Sequence, residues 1–223
     1  MSVATTDYLA AIAHLPAGAA LRMDNITWEE YEQLLNDLGE SYAERIFYDQ
    51  GRMEIMAPSS THERPKYVIG SLVSALRDEL DIDVESLGST TFRSKMKAKG
   101  AEPDDCFYVQ NAALVIGRED EVDLERDPPP DIVVEVDRTS ASLDKFPIYA
   151  ALGVSEIWHL TKKQVRFFTL DAGRYTPSLA SRAFPFLSAE TLSKFLAQGV
   201  AEGARKAARA FRDWVREHHK ADS

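Results

Sequence analysis

The chain is 223 residues long and carries 26 Lys and Arg against 36 Asp and Glu, a formal net charge of −10. That length suits one well-buried domain, the composition (44% apolar, 28% charged) is that of a globular chain, and the acidic balance excludes general polyanion binding, so nucleic acid must be met by a local basic surface or by metal ions. An internal disulfide is excluded because Cys106 is the only cysteine; no apolar run reaches the roughly 18 residues of a membrane span, and MSVATTDYLA lacks the pattern of a signal peptide, so a cytoplasmic protein with no membrane association is expected.

Residues 1–20 are Ala-rich and weakly patterned, an arm or short helix ahead of a domain over 21–200. Thr27 starts a helix. Its hydroxyl can cap free N–H groups, Glu30 stands three residues on as in a capping box, and Tyr31, Leu34, Leu35 and Leu38 follow at helical spacing before Gly39. Arg45 to Tyr48 and Arg52 to Met56 are β-prone runs around Asp49-Gln50-Gly51, which reads as a hairpin. His62 to Leu80 then carries Val68, Ile69, Leu72, Val73, Leu76 and Leu80 on one stripe of a long helix. From Thr91 to Lys99 the period becomes two, which puts Arg93, Lys95, Lys97 and Lys99 on one face of an extended segment.

Glu102 to Val109 reads as a further strand, and seven acids with one Arg between 119 and 131 mark a solvated loop closed by three prolines. Asp131 to Val136 is a β-branched run of the kind found in central strands. Residues 142–152 read as a helix in which Pro147 is tolerable only within the first turn. Glu156 to Leu160 and Gln164 to Leu170 are strands, and Tyr175 opens a last one. Two helices, 188–199 and 203–219, close the chain. In the second, Arg205, Arg209, Arg212, Arg216 and Lys220 occupy one side and Phe211, Trp214 and Val215 another, so 201–223 is an amphipathic helix suited to packing on the domain or on a second copy in a homodimer. The pattern is that of an α/β or α+β domain with a mixed sheet.

Glu135 stands inside the apolar run IVVEV, where a central strand would bury it, and a buried carboxylate needs a cation or a proton. Asp131 and Asp137 fall on its side of the strand at period two. Asp104 follows Pro103 at a loop–strand junction. Two carboxylates on adjacent strands make a hard oxygen site for Mg²⁺ or Mn²⁺. Lys145, ten residues after Glu135, can reach the same mouth. A carboxylate pair, a metal and a lysine meet the needs of metal-assisted phosphodiester hydrolysis. Spacing alone leaves a half-exposed Glu and a solvated Lys open as the simpler reading. Cys106, Trp158 and Tyr149 read as core, His159 as a strand-end residue, and His62 as a helix-start residue that is either solvated or in reach of a phosphate.

Three segments, GRMEIMAPSSTHE, GSTTFRSKMKAKGAEPDDCFYV and PPPDIVVEVDRTSASLDKFPIYAALGVSEIW, stand in that order and together resemble the Uma-type endonuclease family, a domain-of-unknown-function group of the PD-(D/E)xK nuclease-like superfamily, from about Leu21 to Gln198. The resemblance implies a restriction-endonuclease-like core, a central mixed β-sheet flanked by helices with extra C-terminal helices here, and a metal site where two motif strands diverge. It makes Pro103-Asp104 the PD motif, Glu135 the acid of the second motif and Lys145 the lysine, carried on the following helix. It also makes Glu63, beside His62, a further metal ligand. The second motif departs from the pattern, because Glu135-Val136-Asp137 has no lysine. A second Pro-Asp, Pro130-Asp131, lies on the strand of Glu135 itself and cannot face it, which favours Asp104.

The expected function is a nuclease using Mg²⁺ or Mn²⁺, with Asp104, Glu135 and Lys145 catalytic. The resemblance implies DNA as substrate, and Arg93, Lys95, Lys97, Lys99 and His62 would lead its phosphates to the metal. A non-catalytic nucleic-acid-binding or regulatory protein on the same fold, and a hydrolase of a small phosphorylated molecule, are the alternatives.

Overall fold

A computed structural model describes residues 5–39, 42–58, 60–118, 122–136, 144–161 and 164–219, with the side chains of 5–7 and 60–62 outside the description. Two sheets organise the chain. The first is antiparallel, in the order β1-β3-β2-β6-β5, from β1 (Ala20–Met23), β2 (Arg45–Asp49), β3 (Arg52–Met56), β5 (Phe92–Ser94) and β6 (Lys99–Ala101). The second is mixed, in the order β11-β10-β9-β8-β7-β4, from β4 (Glu85–Ser86), β7 (Asp105–Tyr108), β8 (Ile132–Val136), β9 (Glu156–Leu160), β10 (Val165–Asp171) and β11 (Arg174–Ser178). Among the described residues its only parallel pair is β8 with β9, with α4 (Phe146–Leu152) between them in the chain. This is the expected mixed sheet flanked by helices; the separate antiparallel sheet was not foreseen.

Three cores hold these layers together. The alternation of β8 divides its side chains: Ile132, Val134 and Val136 face a core with α3 (Ser60–Leu80), α5 (Ala189–Glu202) and α6 (Ala204–His218). Val133 faces the opposite core, where Phe47, Phe92 and Ala101 of the first sheet meet Cys106, Ile157 and the α4 residues Ile148, Tyr149 and Leu152. Glu135 shares the side of Val133, so it points into the space between the two sheets. The third core joins the first sheet to α1 (Thr5–Ala13) and α2 (Trp28–Leu38), through Ile12, Tyr31, Leu34, Ile46 and Ile55. Residues 1–20 thus include a helix with a buried Ile12. Thr27 forms the expected capping box with Glu30.

Two expectations change. The segment from Thr91 to Lys99 is a hairpin, since β5 ends at Ser94, the Ala98 N–H donates to the Lys95 carbonyl at 3.1 Å with φ of Ala98 at +48°, and β6 begins at Lys99. Arg93, Lys95, Lys97 and Lys99 therefore do not share a face. The apolar face of α6, offered above to a second copy, is filled within the chain, where Ala207, Phe211 and Val215 are buried against α3 and α5. Among the described residues no helix is long and apolar enough to cross a membrane.

Candidate active site

Asp104, Glu135 and Lys145 come from three parts of the chain and converge between the sheets. Asp104 closes the connection from β6 to β7, and its Oδ2 accepts from the Val136 N–H at 2.8 Å, which ties it to the end of β8 one residue past Glu135. Lys145 stands at the N-cap of α4, where Pro147 fits the first turn as its missing N–H requires. Its ammonium donates to Glu135 Oε2 and lies 4.2 Å from the centroid of the Phe47 ring. One helical turn on, the Tyr149 hydroxyl donates to Glu135 Oε1, so each carboxylate oxygen of Glu135 has a donor. All three charged residues are buried, with relative exposures of 4% for Asp104, 1% for Glu135 and 6% for Lys145.

The electrostatics follow from that burial. Desolvation pushes the Glu135 carboxyl up to about 7; the Lys145 ammonium works against this and the charge of Asp104 adds to it. Burial and the neighbouring Glu135 drive the Tyr149 hydroxyl far above its ordinary value, so it stays a donor. Two carboxylates and an ammonium thus lie near one another in a buried place, and the carboxylates offer an all-oxygen donor set. Those are the conditions a hard divalent cation satisfies. Among the described residues no group of three or more His, Cys, Asp or Glu gathers to hold a metal. The chain would therefore supply the carboxylate pair, and water or substrate oxygens the remaining positions, as Mg²⁺ readily accepts.

The other expected residues lie apart from this centre or outside the description. Glu63 is exposed in the first turn of α3, and no described contact joins it to Asp104 or Glu135. The side chain of His62 and the whole of Asp137 lie outside the described residues. Asp131 is structural, accepting from the backbone N–H groups of Val109 (2.7 Å) and Asn111 (3.0 Å) and from Asn111 Nδ2 (2.8 Å). Of the basic residues, Arg93 pairs with Glu32 at 3.5 Å and Lys95 with Glu29 at 3.1 Å. Lys99 is buried on Asp49, which Arg52 also holds, and Lys97 is exposed on the turn. Cys106 is core, its thiol pushed up to about 12 by burial.

Three further residues border the site, of which the sequence reading passes over Glu54 and gives Tyr149 and His159 no part in the chemistry. Tyr149 is core, as its sequence context predicts, and its spacing of four from Lys145 also puts both on one helix face, with its hydroxyl on Glu135. Glu54 lies in β3 opposite Phe47 in register, so it faces the side on which Lys145 sits. It is 1% exposed and accepts from Arg22 Nε at 2.7 Å. The run RMEIM carried the same signal as IVVEV, a charge inside an apolar strand. His159 is the parallel partner of Glu135, on the same face of the sheet, and packs edge-on to Phe146 with centroids 6.1 Å apart.

Comparison with known proteins bears on the fold and the family. A solved structure described as a "putative nuclease belonging to DUF820", from Anabaena variabilis ATCC 29413, matches with a TM-score of 0.53 at 15% identity, over 77% of this chain and 99% of that one, which is a likeness of fold. No curated protein matches the chain. The model of the Uma2 family, described as "Putative restriction endonuclease", matches residues 28–199. With that match spanning most of its length and containing Asp104, Glu135 and Lys145, the chain belongs to the Uma2 family.

Proposed function

We propose that this chain is a divalent-metal-dependent nuclease that hydrolyses DNA phosphodiester bonds in the space between its two sheets. The carrying observation is the buried convergence of Asp104, Glu135 and Lys145, with the ammonium on Glu135 and Asp104 tied to the next residue of the same strand. Asp104 and Glu135 would hold Mg²⁺ or Mn²⁺. When bound, such an ion supplies charge neutralisation at a phosphoryl oxygen and lowers the pKa of water. The Val136 N–H fixes one oxygen of Asp104 and so sets the direction of the other. Tyr149 and Lys145 orient Glu135, and the Lys145 ammonium steadies negative charge that develops on the phosphate. In the same reading, Glu63 would add a ligand to the ion and Lys97 would meet the substrate; both are exposed, so their substitution costs less than that of the buried pair.

Plasmid nicking with Mg²⁺ or Mn²⁺ tests the proposal. The wild-type protein is expected to nick, and Asp104→Ala and Glu135→Ala to lose at least about 10²-fold of that rate. Activity that survives both substitutions refutes the site. Saturable, metal-independent DNA retention without any cut would point instead to a non-catalytic nucleic-acid-binding protein. Competition by free nucleotides against DNA would point to a small phosphorylated substrate.

A further inference from the structure

A groove of about 850 Å³ runs between the outer side of α3 and the first turns of α6. One wall presents Tyr67, whose side chain is 71% exposed; the other presents Arg205, Lys206, Arg209 and Arg212. Lys206 is paired with Glu202 at 2.8 Å and Arg212 with Asp78 at 2.6 Å. Arg205 and Arg209 are exposed and have no ion-pair partner among the described residues. They stand four residues apart on one helix, about 6 Å along its axis. In a chain of net charge −10 this is a local concentration of unbalanced positive charge beside an exposed ring.

The groove begins in the N-terminal half of α3, on the side of the mixed sheet that Asp105 faces through its pairing with Val134. Lys66, the neighbour of Tyr67, is close enough to Asp105 to oppose the upward push of burial on its carboxyl, and Asp105 follows Asp104 in the chain. Gly199, at the end of α5 next to the groove, lies against Val68 in the same turn of α3. Cations spaced along a wall draw a polyphosphate backbone, and an aromatic ring with an open face takes a base; the two together are the means by which proteins hold single strands.

We propose that the α3/α6 groove holds a single-stranded stretch of nucleic acid, its phosphates on Arg205 and Arg209 and a base on Tyr67. As a hold on substrate outside the cleft, this role rests on the nuclease reading; as a binding surface it stands by itself.

The test is fluorescence anisotropy with a labelled 12-nucleotide oligo(dT), in EDTA so that nothing is cut. Arg205→Glu/Arg209→Glu is expected to weaken binding at least about tenfold and to reduce the slope of log affinity against log salt by about 1.4, the share of two phosphates on a single strand. Tyr67→Ala is expected to weaken the oligonucleotide about tenfold and a blunt duplex of equal length by less. Both sites are exposed, so the variants are expected to fold as the wild type does. Wild-type affinity and slope in the double variant would overturn the groove, as would displacement of the oligonucleotide by an oligoglutamate peptide at equal concentration. A parallel nicking assay with Glu135→Gln separates the two proposals. Cleavage that needs Glu135, with unchanged binding in the groove variants, removes the groove and leaves the nuclease. Weakened binding in those variants, with no cleavage by the wild type, removes the nuclease and leaves the groove.

Discussion

At the scale of single residues, Glu135 is governed by the donors on its two oxygens. The hydroxyl of Tyr149 favours the charged carboxylate and so pulls the Glu135 pKa down against the larger effect of burial. Tyr149→Phe removes that donor and leaves the ring in place, so Glu135 ionises at a still higher pH than in the wild type. The expected result is an acid limb of the nicking profile, at subsaturating Mg²⁺, displaced to higher pH. Loss of a bond to a buried charged group should also cost about 1–3 kcal/mol in urea unfolding at pH 8. A profile that stays in place while stability falls would make Tyr149 a packing residue only. The burial of Glu135 was legible because a charge inside a β-branched run needs a partner whatever the fold; Asp104 and Lys145 were joined to it through the resemblance to the family, since a Pro-Asp pair and a lysine at a helix start have ordinary uses. Tyr149 read only as core and Glu54 was passed over, because an aromatic on an apolar helix face and an acid in a short hairpin have ordinary uses, and only tertiary placement shows that both face the same space.

At the scale of elements, the long apolar stripes announced α3, α5 and α6, but how closely they pack depends on single positions. A Cβ on Gly199 would run into the Val68 side chain and come within 3.3 Å of the Ala207 Cβ, so this glycine sets the approach of α5 to both neighbouring helices. Gly199→Ala should therefore cost about 1–3 kcal/mol. Gly70, within α3, has nothing within 4 Å of an added Cβ, and Gly70→Ala should stabilise by about 0.5–1 kcal/mol through helix propensity and a less flexible unfolded chain. Urea midpoints moving in opposite directions with an unchanged m-value would confirm the pair; equal shifts would contradict it. Shorter elements were harder to read. The alternation of Arg93, Lys95, Lys97 and Lys99 imitated one strand, although the chain turns back at Ala98, a residue with no marked preference for positive φ. The resulting β5 and β6 are three residues each, too short for a period to be counted. Gly100 within β6 makes room for the Tyr31 ring, a long-range requirement that its neighbours in sequence do not encode.

At the scale of the whole molecule, the acidic chain keeps several carboxylates out of water, and their titration couples folding to pH and to metal. Burial raises the carboxyls of Glu135, Glu102, Asp105 and Glu156 above their ordinary values. At Asp49 burial acts in the same direction, but Lys99 and Arg52 outweigh it and hold that carboxyl low. For Glu135 the folded value near 7 exceeds the ordinary 4.5, so the folded state binds the proton more tightly. Its contribution is fully present below about pH 4.5 and is lost as pH rises through 7, on the order of 3 kcal/mol. In EDTA, the wild type should therefore lose more stability than Glu135→Gln between pH 5.5 and pH 8. A divalent cation that binds the ionised pair reverses the sign of that penalty, because it stabilises only the state in which Asp104 and Glu135 are both charged. Added Mg²⁺ should then raise the unfolding midpoint more at pH 8 than at pH 5.5, and should have little effect on Glu135→Gln at either pH. Equal Mg²⁺ shifts at the two pH values, or an undiminished shift in Glu135→Gln, would place the ion elsewhere on the molecule and separate metal binding from the buried carboxylates.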